Sequence, residues 1–85
     1  MPNRNYIKGR RKEYKVVSRA REKGYLAFRS AGSHSPIDVV VIDKKKKKIY
    51  FIQCKPDTLS NNKRDQLLEE NQELNGDFKV KFIVE

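Results

Sequence analysis

The chain has 85 residues and a mass of 10.0 kDa, which predicts a single domain over residues 1–85 and excludes a large multidomain enzyme. Lys and Arg number 20 against 11 Asp and Glu, a formal net charge of +9, so the surface potential favours a polyanion or an anionic membrane face. One cysteine, Cys54, excludes an internal disulfide and a zinc finger. The chain has neither an apolar run of membrane-span length nor the apolar stretch of a signal peptide. We therefore expect a cytoplasmic protein without a membrane partner.

The order of patterned segments predicts an α/β fold. Residues 8–23 contain no proline and end before Gly24, which indicates a helix. Three short runs rich in β-branched and aromatic residues then predict strands, at 25–28, 37–42 and 49–54. A second helix is predicted from Ser60 or Asn61 to Leu74, and the period-two alternation at 78–84 predicts a last strand. The predicted order is helix, three strands, helix, strand.

Glu13 interrupts the apolar stripe of the first predicted helix. At about 100° per residue, its position falls among those of Tyr6, Val16, Val17 and Ala20. A carboxylate that faces a core is costly unless it is paired, hydrogen-bonded or bound to a metal. We expect Glu13 to belong to a site, to pair with a buried Arg or Lys, or to lie at the edge of the stripe beside solvent.

Polar residues also interrupt the second and third predicted strands. If Asp43 and Lys48 close a lysine loop, Asp38 and Gln53 stand opposite each other, with Cβ atoms roughly 4.5 to 5.5 Å apart. Lys55 would then share their face, whereas a register slip of one residue would separate the three side chains. The alternative is that Asp38 and Lys55 form a structural ion pair at the end of a strand.

These groups fit the hydrolysis of a phosphodiester by a metal ion. A divalent cation polarises the phosphate and lowers the pKa of a water molecule, and oxygen ligands suit Mg²⁺. Asp38, the side-chain oxygen of Gln53 and the carbonyl of Cys54 would supply such ligands, with Glu13 bound directly or through water. Lys55 would orient the water or stabilise the developing negative charge.

The same residues resemble a known family, the archaeal Holliday-junction resolvases of the PD-(D/E)XK nuclease fold. The resemblance covers most of the chain and rests on four segments: Lys8-Gly9 followed by Glu13, Gly24-Tyr25 with Phe28 to Ser33, Ile37-Asp38-Val39, and Ile52-Gln53-Cys54-Lys55. It implies a restriction-endonuclease-like core with a mixed central sheet.

The resemblance also implies an activity and its residues. The expected activity is paired nicking of four-way DNA junctions by a homodimer that uses Mg²⁺, or Mn²⁺ in its place, in DNA recombination and repair. Glu13, Asp38 and the Gln53-Cys54-Lys55 segment match the metal and catalytic positions, Arg29 matches a DNA-contacting arginine, and Ser33 lies in the loop that carries a catalytic serine. Gln53 stands where the family usually has Glu, which removes one ligand charge.

Basic residues surround the predicted site in sequence. The start of the first helix and the loop after the first strand predict a phosphate-binding rim with salt-sensitive DNA binding, formed by Lys8, Arg10, Arg11, Lys12, Arg29, Ser30 and His34. The alternatives are a solvated basic face and, for His34, either an ordinary surface residue or a general base. The lysine run at 44–48 favours a solubilising turn over a base-reading element.

Two other functions fit the same residues. One is a non-catalytic DNA-binding module on a nuclease fold, with a metal site weakened by Gln53. The other is a related nuclease that acts on other branched or damaged DNA, or on RNA.

Overall fold

A computed structural model describes the backbone of residues 4–30 and 35–85, and the side chains in these ranges from residue 9 onward. Its elements are helix α1 (Arg4–Glu22), strands β1 (Leu26–Arg29), β2 (Val39–Asp43) and β3 (Lys48–Ile52), helix α2 (Asn61–Glu70) and a short 3-10 helix (Gln72–Leu74). The predicted order is confirmed from the first helix to the second, and the fold is a mixed α/β arrangement. No helix in the described part of the chain is both long and apolar enough to cross a membrane.

The three strands form an antiparallel sheet in the order β1-β2-β3. Asp43 pairs with Lys48 and Val39 pairs with Ile52, so the predicted register of the hairpin is confirmed. Asp43 is only 6% exposed, and its Oδ1 atom accepts hydrogen bonds of 3.1 Å from the backbone N–H groups of Lys45 and Lys46. This carboxylate therefore closes the lysine turn and sets the register that governs the other end of the hairpin.

The core lies between α1 and the sheet. The buried side chains come from one stripe of α1 and from the inward face of the first two strands, with Val39 completely buried: Val17, Ala20, Ala27, Val39 and Val41. Alternate residues of β2 are buried, because successive side chains of a strand point to opposite faces. The chain turns from α1 into β1 at Gly24, whose φ of 86° suits glycine, and the backbone N–H of Tyr25 closes the helix end on Ala20.

The carboxy-terminal segment differs from the prediction. Residues 75–85 contain no strand, and the sheet in the described part of the chain is wholly antiparallel, so the predicted last strand and the mixed sheet are wrong for this structure. Phe82 is 95% exposed and Val84 is 82% exposed. Period-two alternation specifies which side chains would share a face, but a strand also needs a neighbouring edge for its backbone hydrogen bonds. Within residues 4–30 and 35–85, no strand pairs with this segment.

The second helix is shorter than predicted and lies at the surface. It ends at Glu70, after which the chain continues as the 3-10 helix to Leu74. Ser60 caps its start, since the Ser60 hydroxyl accepts a 3.3 Å hydrogen bond from the backbone N–H of Lys63. No residue of α2 is buried, although Leu67 is partly buried, so the helix contributes nothing to the buried core.

Candidate active site

Glu13 is a partly buried carboxylate that pairs with an arginine. Its side chain is 18% exposed, and its Oε1 atom lies 3.5 Å from Nε of Arg29, whose side chain is 25% exposed. The contact is an ion pair and not a hydrogen bond, because the buried Nε atom has no acceptor within hydrogen-bonding geometry among the described residues. Pairing with an arginine was one of the alternatives that the helical stripe left open. The structure shows that pairing.

Asp38 lies immediately before β2, and its backbone is hydrogen-bonded to the chain on both sides. Its backbone N–H donates to the carbonyl of Ile52 over 2.8 Å, and its carbonyl accepts from the N–H of Ser30 over 2.9 Å. Its carboxylate Oδ2 accepts a 2.8 Å hydrogen bond from the N–H of Cys54. The Asp38 carboxylate is therefore turned toward the segment that leaves β3. The sequence predicted this proximity from the hairpin register.

Of the two predicted partners of Asp38, Gln53 lies at the expected register position, whereas Lys55 does not pair with Asp38. The last residue pair of the ladder is Val39 with Ile52, so Asp38 and Gln53 both lie one residue beyond it, and Gln53 is half-buried. Lys55 is exposed and makes no ion pair with Asp38 within 4.0 Å, since the ion pairs of the described residues lie elsewhere. The alternative of a structural pair between Asp38 and Lys55 is wrong.

Cys54 lies close to both carboxylates, and its Sγ is affected by their charges. Burial raises the pKa of Cys54, and the negative charges of Asp38 and then Glu13 raise it further, while the Lys12 ammonium opposes them. Asp38 and Glu13 come from separate parts of the chain, the start of β2 and the middle of α1. The contact of Glu13 with Arg29, which pairs with Val39 next to Asp38, places both carboxylates at the same end of the sheet.

Lys12 connects α1 to the chain that follows β3. Its ammonium donates hydrogen bonds to the carbonyl of Lys55 and to the carboxylate of Asp57, the latter over 2.9 Å. A hydrogen bond from Lys12, together with its charge, lowers the pKa of Asp57. The sequence predicted Lys12 as part of the basic rim, but its bond to the backbone of Lys55 gives it a second role, since it holds the segment that contains the proposed ligands.

Tyr14 is a site neighbour that the sequence did not indicate. Its hydroxyl accepts hydrogen bonds from Nη1 of Arg29 over 3.1 Å and from Nη2 of Arg10 over 3.4 Å. The Cζ atom of Arg29 lies 4.5 Å from the centre of the Tyr14 ring, and that of Arg10 lies 5.7 Å away. The hydrogen bond from Arg10 and the charges of both arginines lower the pKa of Tyr14. The spacing of Arg10 and Tyr14 by one helical turn was visible in the sequence, whereas the contact with Arg29 needs the tertiary fold.

The remaining predicted residues divide into two groups. Ser30, at the end of β1, bonds to the backbone of Asp38 through its own backbone N–H, and Arg11 is exposed on α1. Ser33 and His34 lie outside the described residues, as does the side chain of Lys8.

The predicted metal ligands are oxygen donors. Two carboxylates, the Gln53 amide oxygen and the Cys54 carbonyl are oxygen donors of the kind that Mg²⁺ prefers. Among the described residues, Oδ2 of Asp38 accepts one hydrogen bond, which leaves lone pairs of this carboxylate for other partners. In the part of the chain that the structure describes, no cluster of three or more His, Cys, Asp or Glu residues could hold a metal ion. Any cation would therefore depend on the neutral oxygens of Gln53 and Cys54 beside the two carboxylates.

A groove of about 800 Å³ lies between α1, β3 and α2. Lys12, Gln53, Cys54 and Lys55 contribute to its lining, but Glu13 and Asp38 do not. The groove therefore borders the two carboxylates without containing them.

No protein-family model, curated protein or solved structure significantly matches this chain. A function for this chain therefore has to be inferred from the residues and geometry described above.

Proposed function

We propose that this protein is a metal-dependent, structure-selective DNA endonuclease that nicks four-way junctions in pairs, as Holliday-junction resolvases do. The observation that carries the proposal is that Glu13 contacts Arg29, which pairs with Val39 next to Asp38, while the Asp38 carboxylate accepts a hydrogen bond from the Cys54 N–H. Two carboxylates from distant parts of the chain at one end of a sheet supply the charge that a divalent cation needs. The restriction-endonuclease-like core belongs to the same proposal.

In this mechanism Asp38 and Glu13 would hold the cation, together with the Gln53 amide oxygen and the Cys54 carbonyl. When bound, Mg²⁺ polarises the scissile phosphate and lowers the pKa of a water molecule. The bond from the Cys54 N–H to Asp38 orients that carboxylate toward the Gln53-Cys54 segment. The exposed ammonium of Lys55 stabilises negative charge as it develops on the phosphate.

The charge of the chain supports a nucleic-acid substrate. A net charge of +9 favours the phosphate backbone, and each phosphate that the protein neutralises makes the slope of log K against log salt steeper by about 0.9 for duplex DNA. Paired nicking needs two active sites, so the proposal includes a homodimer and Mg²⁺ or Mn²⁺ as cofactor. A solution mass of about 20 kDa, twice that of the chain, is expected by analytical ultracentrifugation.

A cleavage assay on a synthetic four-way junction tests the proposal. The wild type with Mg²⁺ or Mn²⁺ is expected to cut opposite strands symmetrically, and Asp38→Asn is expected to abolish cutting. Asp65→Asn is the matched control, because it removes the same charge from exposed helix α2. Absence of symmetric nicks at every enzyme excess would overturn the proposal, and so would full cutting by Asp38→Asn.

A second candidate function is a non-catalytic DNA-binding module. The ion pair of Glu13 with Arg29 and the neutral side chain of Gln53 favour it, because both reduce the negative charge available to a cation. Calorimetric titration with Mg²⁺ separates the two functions. The nuclease takes up the cation at a saturable site that Asp38→Asn removes, whereas the binding module has junction affinity without specific uptake. A panel of flaps, forks, damaged duplexes and RNA junctions compares the remaining substrate classes.

A further inference from the structure

Tyr14 lies between two arginines on the surface beside Glu13. The residue is 49% exposed, yet its ring and its hydroxyl both contact the guanidinium of Arg29. A ring 4.5 Å from the guanidinium carbon is in the range of a favourable cation–π contact. A surface tyrosine with no role beyond solvation would not need both contacts.

Arg29 has two kinds of partner at this position. Toward the core, its Nε faces Glu13 at 3.5 Å without a hydrogen bond, although the Nε atom is buried. Toward solvent, its guanidinium lies on the Tyr14 ring and donates to the Tyr14 hydroxyl. A buried N–H without an acceptor is unfavourable. Among the described residues, Arg29 therefore has a side-chain hydrogen bond on its Tyr14 side and none on its Glu13 side.

The backbone of Arg29 brings this cluster to the proposed site. Arg29 pairs with Val39 across β1 and β2, and the next residue, Ser30, hydrogen-bonds to the carbonyl of Asp38. The guanidinium therefore extends from the same end of the sheet as the Asp38 carboxylate. A phosphate bound near the Asp38 carboxylate would therefore lie close to the Arg29 guanidinium.

We infer that Tyr14 is a positioning residue for a phosphate-binding site. It keeps the Arg29 guanidinium in place while Arg29 exchanges the carboxylate of Glu13 for a phosphodiester of bound DNA. Arginine binds phosphate through two parallel N–H donors. The Nη atoms of Arg29 would supply them, because its Nε is buried beside Glu13, and the charge of the phosphate would replace that of Glu13 as the partner of the guanidinium. The inference rests on the proposed function for the identity of the phosphate ligand, and it does not depend on Arg10.

DNA binding measured over a salt series tests this role. Fluorescence anisotropy with a labelled four-way junction in EDTA measures affinity without cleavage. Tyr14→Leu is expected to weaken binding about two- to fivefold, the range of an exposed cation–π contact. It should also reduce the magnitude of the salt slope by up to about 0.9, the value for one lost phosphate contact. Tyr14→Phe keeps the ring and should keep most of the affinity and the slope.

Two comparisons distinguish positioning from general structural support. Arg29→Ala should lower the slope by the same amount as Tyr14→Leu, and the double variant should lower it no further, because both changes remove one contact. Tyr50→Leu is the matched control, since Tyr50 is 46% exposed on β3 and has no cation–π contact among the described residues. Its slope should equal that of the wild type.

Several results would overturn the inference: an unchanged slope in Tyr14→Leu, additive losses in the double variant, or an equal loss in Tyr50→Leu. Absence of salt-dependent junction binding by the wild type would overturn it as well, even if cleavage is present. Failure of the nuclease proposal looks different. Wild type that binds the junction with the expected slopes but never cuts it with Mg²⁺ would end that proposal and leave the role of Tyr14 standing.

Discussion

The Asp38 carboxylate makes a structural hydrogen bond and has a proposed role as a metal ligand. Substitution by Asn and by Ala distinguishes these two roles. Its carboxylate accepts a partly buried 2.8 Å bond from the Cys54 N–H. Hydrogen bonds to charged groups contribute about 1.5–3 kcal/mol, roughly twice the value for neutral pairs. A chain of 85 residues has a total free energy of unfolding of about 4–13 kcal/mol, so this one bond is a considerable part of it.

The two substitutions at Asp38 should therefore differ in stability. Asp38→Ala leaves the Cys54 N–H without its acceptor and should lower the free energy of unfolding by about 2 kcal/mol. Asp38→Asn retains a carbonyl oxygen at the same position and should cost about 1 kcal/mol or less. At about 4–8 °C per kcal/mol for a domain of this size, the Tm should fall by about 8–16 °C for Ala and by less than about 8 °C for Asn.

Urea and thermal unfolding followed by circular dichroism measure these differences, and the junction assay measures cleavage by the same preparations. Both variants should lack cleavage, although Asn remains folded under assay conditions. Equal destabilisation by Asn and Ala would refute the hydrogen-bond reasoning. Cleavage retained by Asp38→Asn would refute the role of the carboxylate at the metal.

Other contacts of the described residues give three further predictions. Burial and the neighbouring carboxylates raise the pKa of Cys54, so alkylation of its thiol by iodoacetamide should be slow near pH 8. Asp38→Asn should lower this pKa and speed the reaction. Identical pH profiles of alkylation for the variant and the wild type would contradict the electrostatic argument. Lys12→Met should return the pKa of Asp57 to its ordinary range in an NMR titration. The ion pair of Lys12 with Asp57 stabilises the fold at neutral pH, and this effect is lost as acid protonates Asp57. Because the Asp57 side chain is 98% exposed, Lys12→Met should change the Tm only slightly. A large change in Tm would show that Lys12 acts mainly through the carbonyl of Lys55. Ser60→Ala should cost about 1 kcal/mol of helix stability and raise the rate of amide hydrogen exchange within α2 alone, since no residue of α2 is buried. Faster exchange in the sheet as well would contradict the surface position of that helix.

Local patterns were sufficient for much of this molecule. The lysine turn, with Asp43 before it, predicted the register of β2 and β3, and that register brought Asp38 beside the segment after β3. Likewise, the position of Glu13 among apolar residues predicted a carboxylate that faces the core side of α1. These predictions succeeded because helix and strand periods determine which side chains share a face.

The tertiary structure decided which partners those side chains have. Residues 78–84 have the alternation of a strand but lack a neighbouring edge in this structure, and the pattern alone could not show this. Arg29 lies 16 residues from Glu13 along the chain, yet the packing of α1 on β1 brings them together with Tyr14. The spacing of apolar residues determines which face of a helix or strand a side chain occupies. The contacts of that side chain depend on how the helices and strands pack against one another, and this packing depends on the whole chain.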